Sequence, residues 1–128
     1  MKKVLIVDDS PNWLKYHTQM INIIYYNNVK IDLANSAIEG VGCIERELDT
    51  PYDLILTDMQ MEMNFLPLFA GEWFIKEVKT FKEYNNSQII AISAATNLSE
   101  IASKYSVDFL PKYNCENIDN YKKVIKNN

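Results

Sequence analysis

Short apolar runs alternate with longer segments of helical period along the chain, and this alternation constrains the fold more than any other feature. The strand-like runs are KKVLIV, VKIDLA, YDLILTD, QIIAISA and VDFLPK. Strands separated by helical segments are typical of a parallel sheet that is covered by helices on both faces. The sequence therefore predicts an α/β fold, a doubly wound sheet of five parallel strands with five helices, in which VKIDLA lies nearer the sheet edge.

The predicted helices begin at residues that favour helix N-termini. SPNWLKYHTQMINII has Ser10 as its N-cap and Pro11 at its first position. NSAIEGVGCIEREL begins with a capping box formed by Ser36 and Glu39. GEWFIKEVKTFK, NLSEIASKY with Asn97 as cap, and CENIDNYKKVIK are the remaining helices. We expect each helix to follow a strand and to pack its apolar side on the sheet.

Length and composition indicate one soluble domain. The chain has 128 residues, a common size for a single domain, and we expect residues 1–128 to form one. Its 48% hydrophobic and 23% charged residues are ordinary for a globular protein. No apolar run approaches the roughly 20 residues of a membrane-spanning helix. The apolar run after Met1 is also too short for a signal peptide, so we expect a cytoplasmic protein without membrane contact.

Charge and cysteine content exclude two kinds of site. A net charge of -4 without a cluster of basic residues argues against direct binding to nucleic acid, which needs grouped Lys and Arg. Cys43 and Cys115 are far apart and outside any spacing typical of metal ligands. We therefore expect two reduced, packed thiols. The lone histidine, His17, is expected to be a packing or surface residue.

Polar side chains stand at the ends of four predicted strands. The first strand ends in Asp8 and Asp9, the third in Asp58, the fourth in Ser93 and the fifth in Lys112. Ligands of open α/β sheets bind at the carboxyl ends of the strands, and parallel strands bring those ends to one edge. The sequence therefore predicts that these five side chains converge on one pocket.

Three carboxylates in one pocket repel one another unless a cation neutralises them. Mg²⁺ suits oxygen-only ligands and accepts phosphate as a further ligand. With Mg²⁺ and Lys112 present, the formal charges of Asp8, Asp9 and Asp58 cancel. Such a pocket can admit a phosphoryl group and lets Asp58 attack the phosphorus of a donor.

The segments VLIVDDSP, LILTDMQM, IIAISAA and DFLPK resemble, in order and over nearly the whole chain, the receiver domains of response regulators. The resemblance implies the CheY-like, flavodoxin-like fold and the phosphorelay of two-component signalling. It implies that Asp58 accepts a phosphoryl group from a histidine kinase or phosphotransfer protein. It also implies that Asp9 binds Mg²⁺ directly, Asp8 largely through water, and Gln60 through its backbone carbonyl.

The same resemblance implies roles for three further residues. Ser93 would bind the phosphoryl oxygens, Lys112 would pair with them, and Phe109 would be the aromatic switch. Phosphorylation would then change the surface that a downstream protein or output domain reads. The domain would catalyse only its own phosphorylation and dephosphorylation.

The connection after Asp58 departs from the receiver pattern. Glu62 stands where a proline is usual, and the next glycine, Gly71, comes only after the apolar loop MEMNFLPLFA. We expect this loop, residues 61–70, to contact a partner or a second copy of the domain. The alternative is an insertion folded back onto its own domain. Tyr113 follows Lys112 where the family usually has proline.

Two other functions remain open. A receiver-like interaction module that no longer accepts phosphate would signal by its surface alone. A haloacid-dehalogenase-type phosphatase also uses a strand-end aspartate with Mg²⁺, but it needs a second aspartate where Gln60 stands. Taken singly, the site residues also have structural explanations, because Asp8 could cap a helix and Ser93 could be a turn residue.

Overall fold

The computed structural model describes residues 1–61 and 69–126, which form a parallel sheet with helices on both faces. The strands are β1 (Lys2–Val7), β2 (Val29–Ala34), β3 (Leu54–Asp58), β4 (Gln88–Ser93) and β5 (Asp108–Pro111). They lie in the order β2-β1-β3-β4-β5, and all neighbouring strands are parallel. The predicted doubly wound sheet is confirmed, with β2 at an edge.

Five helices alternate with the strands, again as predicted. They are α1 (Pro11–Ile24), α2 (Ala37–Arg46), α3 (Ala70–Lys79), α4 (Leu98–Tyr105) and α5 (Ile118–Val124). The Ser10 side chain accepts a hydrogen bond from the Trp13 N–H, and the Ser36 side chain accepts one from the Glu39 N–H. The Glu39 carboxylate in turn accepts from the Asn35 N–H, so the capping box closes on Asn35 and not on Ser36.

The last two helices differ from the prediction in the cap of α4 and in the first residue of α5. Asn97 precedes α4, but its side chain does not bond to an N–H group of the helix. α5 begins at Ile118 and not at Cys115, because residues 112–114 form a 3-10 turn. The Asn117 side chain then caps α5 by accepting from the Asp119 N–H. No helix in the described ranges is long and apolar enough to cross a membrane.

The sheet separates two apolar clusters. Leu5 and Val7 of β1 pack on the side of α2 and α3, whereas Val4 and Ile6 pack on the side of α1 and α5. Central strands of a parallel sheet are buried on both faces, and β3 is buried along its whole length. Each large aliphatic side chain buried in this way contributes about 1.5–3 kcal/mol. The packing of β1 and β3 therefore fixes the position of the acidic residues at their ends.

The cysteines and the histidine are buried in these clusters. Cys43 and Cys115 are free, buried thiols, as predicted, and they lie on opposite sides of the sheet. His17 is a packed residue on α1, and its Nδ1 shares a hydrogen bond of 2.8 Å with the Tyr121 hydroxyl. The prediction that His17 is a packing or surface residue is confirmed, because the side chain is packed in the interior.

Candidate functional site

The carboxyl ends of β1 and β3 bring three carboxylates together. One oxygen from each of Asp8, Asp9 and Asp58 lies within 4.8 Å of the others, the one such acidic group of three or more in residues 1–61 and 69–126. The register of the two strands, which pairs Val7 with Thr57, is the cause. Asp8 is 1% exposed and Asp58 is 3% exposed, while Asp9 is partly exposed.

Backbone groups of other residues bind both the main-chain N–H and the side chain of Asp8. Its N–H donates to the Ala34 carbonyl at 3.0 Å, and its Oδ1 accepts from the Ser10 N–H at 2.9 Å. Its Oδ2 is buried and has no hydrogen-bond partner among the described residues. Burial raises the pKa of Asp8 to about 6; the Ser10 bond opposes this and the Asp58 charge adds to it. A buried carboxylate oxygen without a partner costs free energy, and a bound cation would remove that cost.

Lys112 forms an ion pair with Asp58, although β4 lies between β3, which ends in Asp58, and β5, which Lys112 follows. Its Nζ lies 3.5 Å from Asp58 Oδ2, and Asp58 Oδ1 accepts from the Gln60 N–H at 3.3 Å. Burial raises the pKa of Asp58, whereas the Lys112 charge and the Gln60 bond lower it. Burial thus favours the protonated form of Asp58, whereas the Lys112 ammonium group favours the ionised form.

Ser93 ends β4 beside the acidic group. Asp58 is paired with Ile92 in the strand register, so Ser93 is the next residue along the same edge of the sheet. Its buried Oγ accepts from the Ala95 N–H at 3.0 Å. The hydroxyl donates to no group in the described part of the chain, so its hydrogen is available to an acceptor that enters the pocket.

Phe109 lies apart from the carboxylates, on the edge strand β5. It is paired with Ala91 of β4, and its side chain is 41% exposed. The structure therefore contains the outward position of this ring. The inward position that the switch prediction requires stays a prediction.

The donor set fits Mg²⁺. Carboxylate oxygens are the ligands that this hard cation prefers, and the cluster formed by Asp8, Asp9 and Asp58 offers several at one point. The unpartnered Oδ2 of Asp8 is an independent indication that the pocket is built for a positive group. Gln60, whose backbone carbonyl is the further predicted ligand, is tied to Asp58 through its N–H.

Two residues that sequence reasoning missed support this site. The Gly71 N–H, in the first turn of α3, donates to the Met59 carbonyl at 3.1 Å. The Trp13 ring lies under the Lys112 ammonium, with 5.1 Å between Nζ and the ring centre. A glycine inside a helix is a weak signal of close approach, whereas nothing in the sequence links Trp13 to Lys112.

Most of the predicted partner loop, residues 61–70, lies outside the described residues, since 62–68 are not described. Its two ends are packed: Met61 and Ala70 belong to the apolar cluster on the side of α2 and α3. Whether the loop contacts a partner or its own domain stays a prediction.

Receiver domains are among the solved structures that have the same fold. The CheY-like receiver domain from Methylobacillus flagellatus superposes with a TM-score of 0.72 at 17% identity and covers 97% of this chain and 95% of that chain. The receiver domain from Clostridium thermocellum gives 0.69 at 22%, covering 96% and 98%. A mutant receiver domain of the histidine kinase CKI1 from Arabidopsis thaliana gives 0.70 at 23%, covering 87% and 80%. No family model and no curated protein matches the sequence.

Proposed function

We propose that this chain, which has the fold of a response-regulator receiver domain, is a phosphorylation-dependent signalling switch that accepts a phosphoryl group on Asp58. The observation that carries the proposal is the Lys112–Asp58 pair, 3.5 Å apart, inside a group of three carboxylates. The receiver fold of the similar structures supports it. The donor would be a histidine kinase or phosphotransfer protein in the cytoplasm, and residues 1–128 would act as one domain.

Asp58 would supply the nucleophile. One of its carboxylate oxygens attacks phosphorus, a new O–P bond forms, and the bond from phosphorus to the leaving group breaks with the leaving group keeping the electron pair. The attacking carboxylate must be ionised, and burial works against this by raising its pKa. The Lys112 ammonium stabilises the anion and would then pair with the phosphoryl oxygens.

Asp8, Asp9 and Asp58, with the Gln60 carbonyl, would hold Mg²⁺. When bound, the ion screens the carboxylates from one another and from the incoming phosphoryl group. Asp8 contributes a buried oxygen that lacks a partner among the described residues. Since burial raises the pKa of Asp8 to about 6, protons would compete with the metal at and below that pH.

Ser93 and Phe109 would convert phosphorylation into a change of surface. A phosphoryl group adds about -1.5 to -2 charges and three strong acceptor oxygens. The Ser93 hydroxyl would donate to one of them and draw the connection between β4 and α4 towards Asp58. Phe109 would then turn inward and alter the face formed by α4, β5 and α5, which a downstream protein or output domain would read.

Intact-mass measurement after incubation with acetyl phosphate and Mg²⁺ tests the proposal. We expect the mass to rise by one phosphoryl group, and Asp58→Asn to abolish the increase. Asp49→Asn, which changes an exposed aspartate, is the matched control and should be labelled like the unmodified protein. A protein that stays unlabelled would instead be a receiver-like module that signals without phosphate. Continued labelling of Asp58→Asn at an unchanged rate would assign the acceptor elsewhere.

A further inference from the structure

The Lys112 ammonium lies between a carboxylate and an indole face. Its Nζ is 3.5 Å from Asp58 Oδ2 and 5.1 Å from the centre of the Trp13 ring. A cation within about 6 Å of a ring centre is attracted by the negative face of the ring. We propose that Trp13 is a positioning residue that holds Lys112 toward Asp58 during phosphoryl transfer, an inference that rests on the proposed function.

Lys112 needs such a support because, among the described residues, Asp58 is the one polar partner of its ammonium group. It is the first residue of the 3-10 turn that follows the edge strand β5. Its ammonium group stands at the end of a flexible four-carbon stem, and the distance to Asp58 is long for a charged hydrogen bond. With the carboxylate contact alone, the group would sample many positions. The flat face of Trp13 restricts it to the side of the pocket where Asp58 lies.

Trp13 is itself held by an aromatic stack that joins α1 to α5. Its ring stacks on His17 with 5.2 Å between centres and 28° between planes, and it meets Tyr16 edge-on at 5.7 Å. His17 is fixed from behind by its 2.8 Å hydrogen bond with the buried Tyr121. The Tyr16 hydroxyl donates to the Cys115 carbonyl at 2.6 Å. The indole is therefore packed against two aromatic rings that are themselves hydrogen-bonded to the end of the chain.

The stack presents an uncharged face to the ammonium group. Burial lowers the pKa of His17 to about 4, and the Lys112 charge lowers it too. His17 is therefore neutral at physiological pH and does not repel Lys112 through Trp13. Trp13 and Lys112 also line one open cavity of about 390 Å³, so the contact is only partly shielded from water.

The contact can be tested by NMR without any phosphorylation. Methylene protons of Lys112 next to the face of Trp13 should be shifted upfield by the ring current, and Trp13→Leu should return them to ordinary positions. Trp13→Phe keeps a smaller ring and should keep part of the shift. Trp73→Leu, a matched change in the opposite apolar cluster, should leave the Lys112 signals unchanged. Lys112 signals that do not move in Trp13→Leu would overturn the proposal.

The kinetic consequence is tested by the rate of labelling with acetyl phosphate and Mg²⁺. Trp13→Leu should lower the rate constant by about threefold to tenfold, the range of a partly desolvated cation–π contact, and Trp13→Phe should recover most of it. In a Lys112→Ala background, Trp13→Leu should have no further effect, because Trp13 acts through Lys112. If Trp13→Leu lowered the labelling rate equally in the unmodified protein and in Lys112→Ala, the role of Trp13 would be merely structural. Failure to label the unmodified protein would overturn the proposed function as well, whereas an unchanged rate in Trp13→Leu would overturn the positioning role alone.

Discussion

Gly71 lies directly against the backbone of Asp58: a Cβ atom on Gly71 would overlap the Asp58 carbonyl oxygen and would be 2.5 Å from the Met59 Cα. Its N–H also donates to the Met59 carbonyl. Both neighbours are main-chain atoms, so no side chain can rotate away to make room. The first turn of α3 therefore determines the path of the chain immediately after the proposed phospho-acceptor.

Gly71→Ala should destabilise the protein. Overpacking of this kind costs about 1–3 kcal/mol, and the backbone contacts argue for the upper end of the range in the free energy of unfolding. Urea denaturation measures the change. Gly42→Ala is the matched control, because a Cβ there meets only Arg46, at 3.5 Å. Since alanine favours a helix interior over glycine, the control should gain about 0.5–1 kcal/mol. A Gly71→Ala protein as stable as the unmodified one would contradict the close contact.

The stability of the metal-free protein should depend on Asp8 between about pH 4 and pH 6. Because folding raises the pKa of Asp8, the protonated carboxyl favours the folded state at low pH. This contribution is complete below the unfolded pKa of 3.8 and is lost as the pH rises through about 6. Asp8→Asn should therefore be more stable than the unmodified protein at pH 7, by about 2–3 kcal/mol.

Chemical denaturation of both proteins in EDTA, at several pH values, measures this difference. We expect the two curves to converge near pH 4. Added Mg²⁺ should stabilise the unmodified protein by mass action and Asp8→Asn much less. A difference that is constant across the pH range would contradict the assignment to Asp8.

Asp9→Ala should abolish Mg²⁺ binding. The substitution removes one of the three clustered carboxylates, and the two that remain are the more deeply buried ones. Isothermal titration calorimetry measures the loss, and Asp53→Ala, at the opposite end of β3, should bind Mg²⁺ normally. Unchanged binding in Asp9→Ala would move the metal away from this group.

Phosphorylation should affect the segment from Ser93 to Lys112. Phe109 has no hydroxyl to hold its exposed position by a hydrogen bond, so we expect a switch of small dynamic range. NMR shifts of this backbone segment, with and without beryllofluoride and Mg²⁺, measure the change. Ser93→Ala should reduce the response on β5 while the signals near Asp58 still move. Changes confined to the surroundings of Asp58 in the unmodified protein would refute the switch.

The sequence was sufficient to predict the alternation of strands and helices and the grouping of the carboxylates, because apolar runs and parallel topology leave few arrangements. Asp8 follows β1 and Asp58 ends β3, and parallel neighbouring strands place such residues at one edge of the sheet. The starts of α1 and α2 were equally clear, since Ser10 and Ser36 are strong N-caps.

Contacts between distant segments were not predictable. Hydrophobic periodicity indicates which side of a helix or strand is buried, but not which residues that side contacts. The contacts of Gly71 with Asp58 and of Trp13 with Lys112 are of this kind. Gln88 is a further case. Its amide donates to Asp108 and to the Val124 carbonyl and accepts from the Lys126 N–H, which ties the end of α5 to the sheet.

The burial of Asp58 also affects how long a phosphoryl group on this residue would last. Hydrolysis of a phosphoryl group requires a water molecule to approach phosphorus from the side opposite the Asp58 oxygen. Asp58 is almost inaccessible, whereas Gln60, two residues further along the chain, is exposed. In the proposed phosphorylated protein, the side chains that control how water reaches the phosphoryl group would therefore set the lifetime of the signal. Kinase encounters would determine how often the switch is turned on, and the access of water would determine how long it stays on.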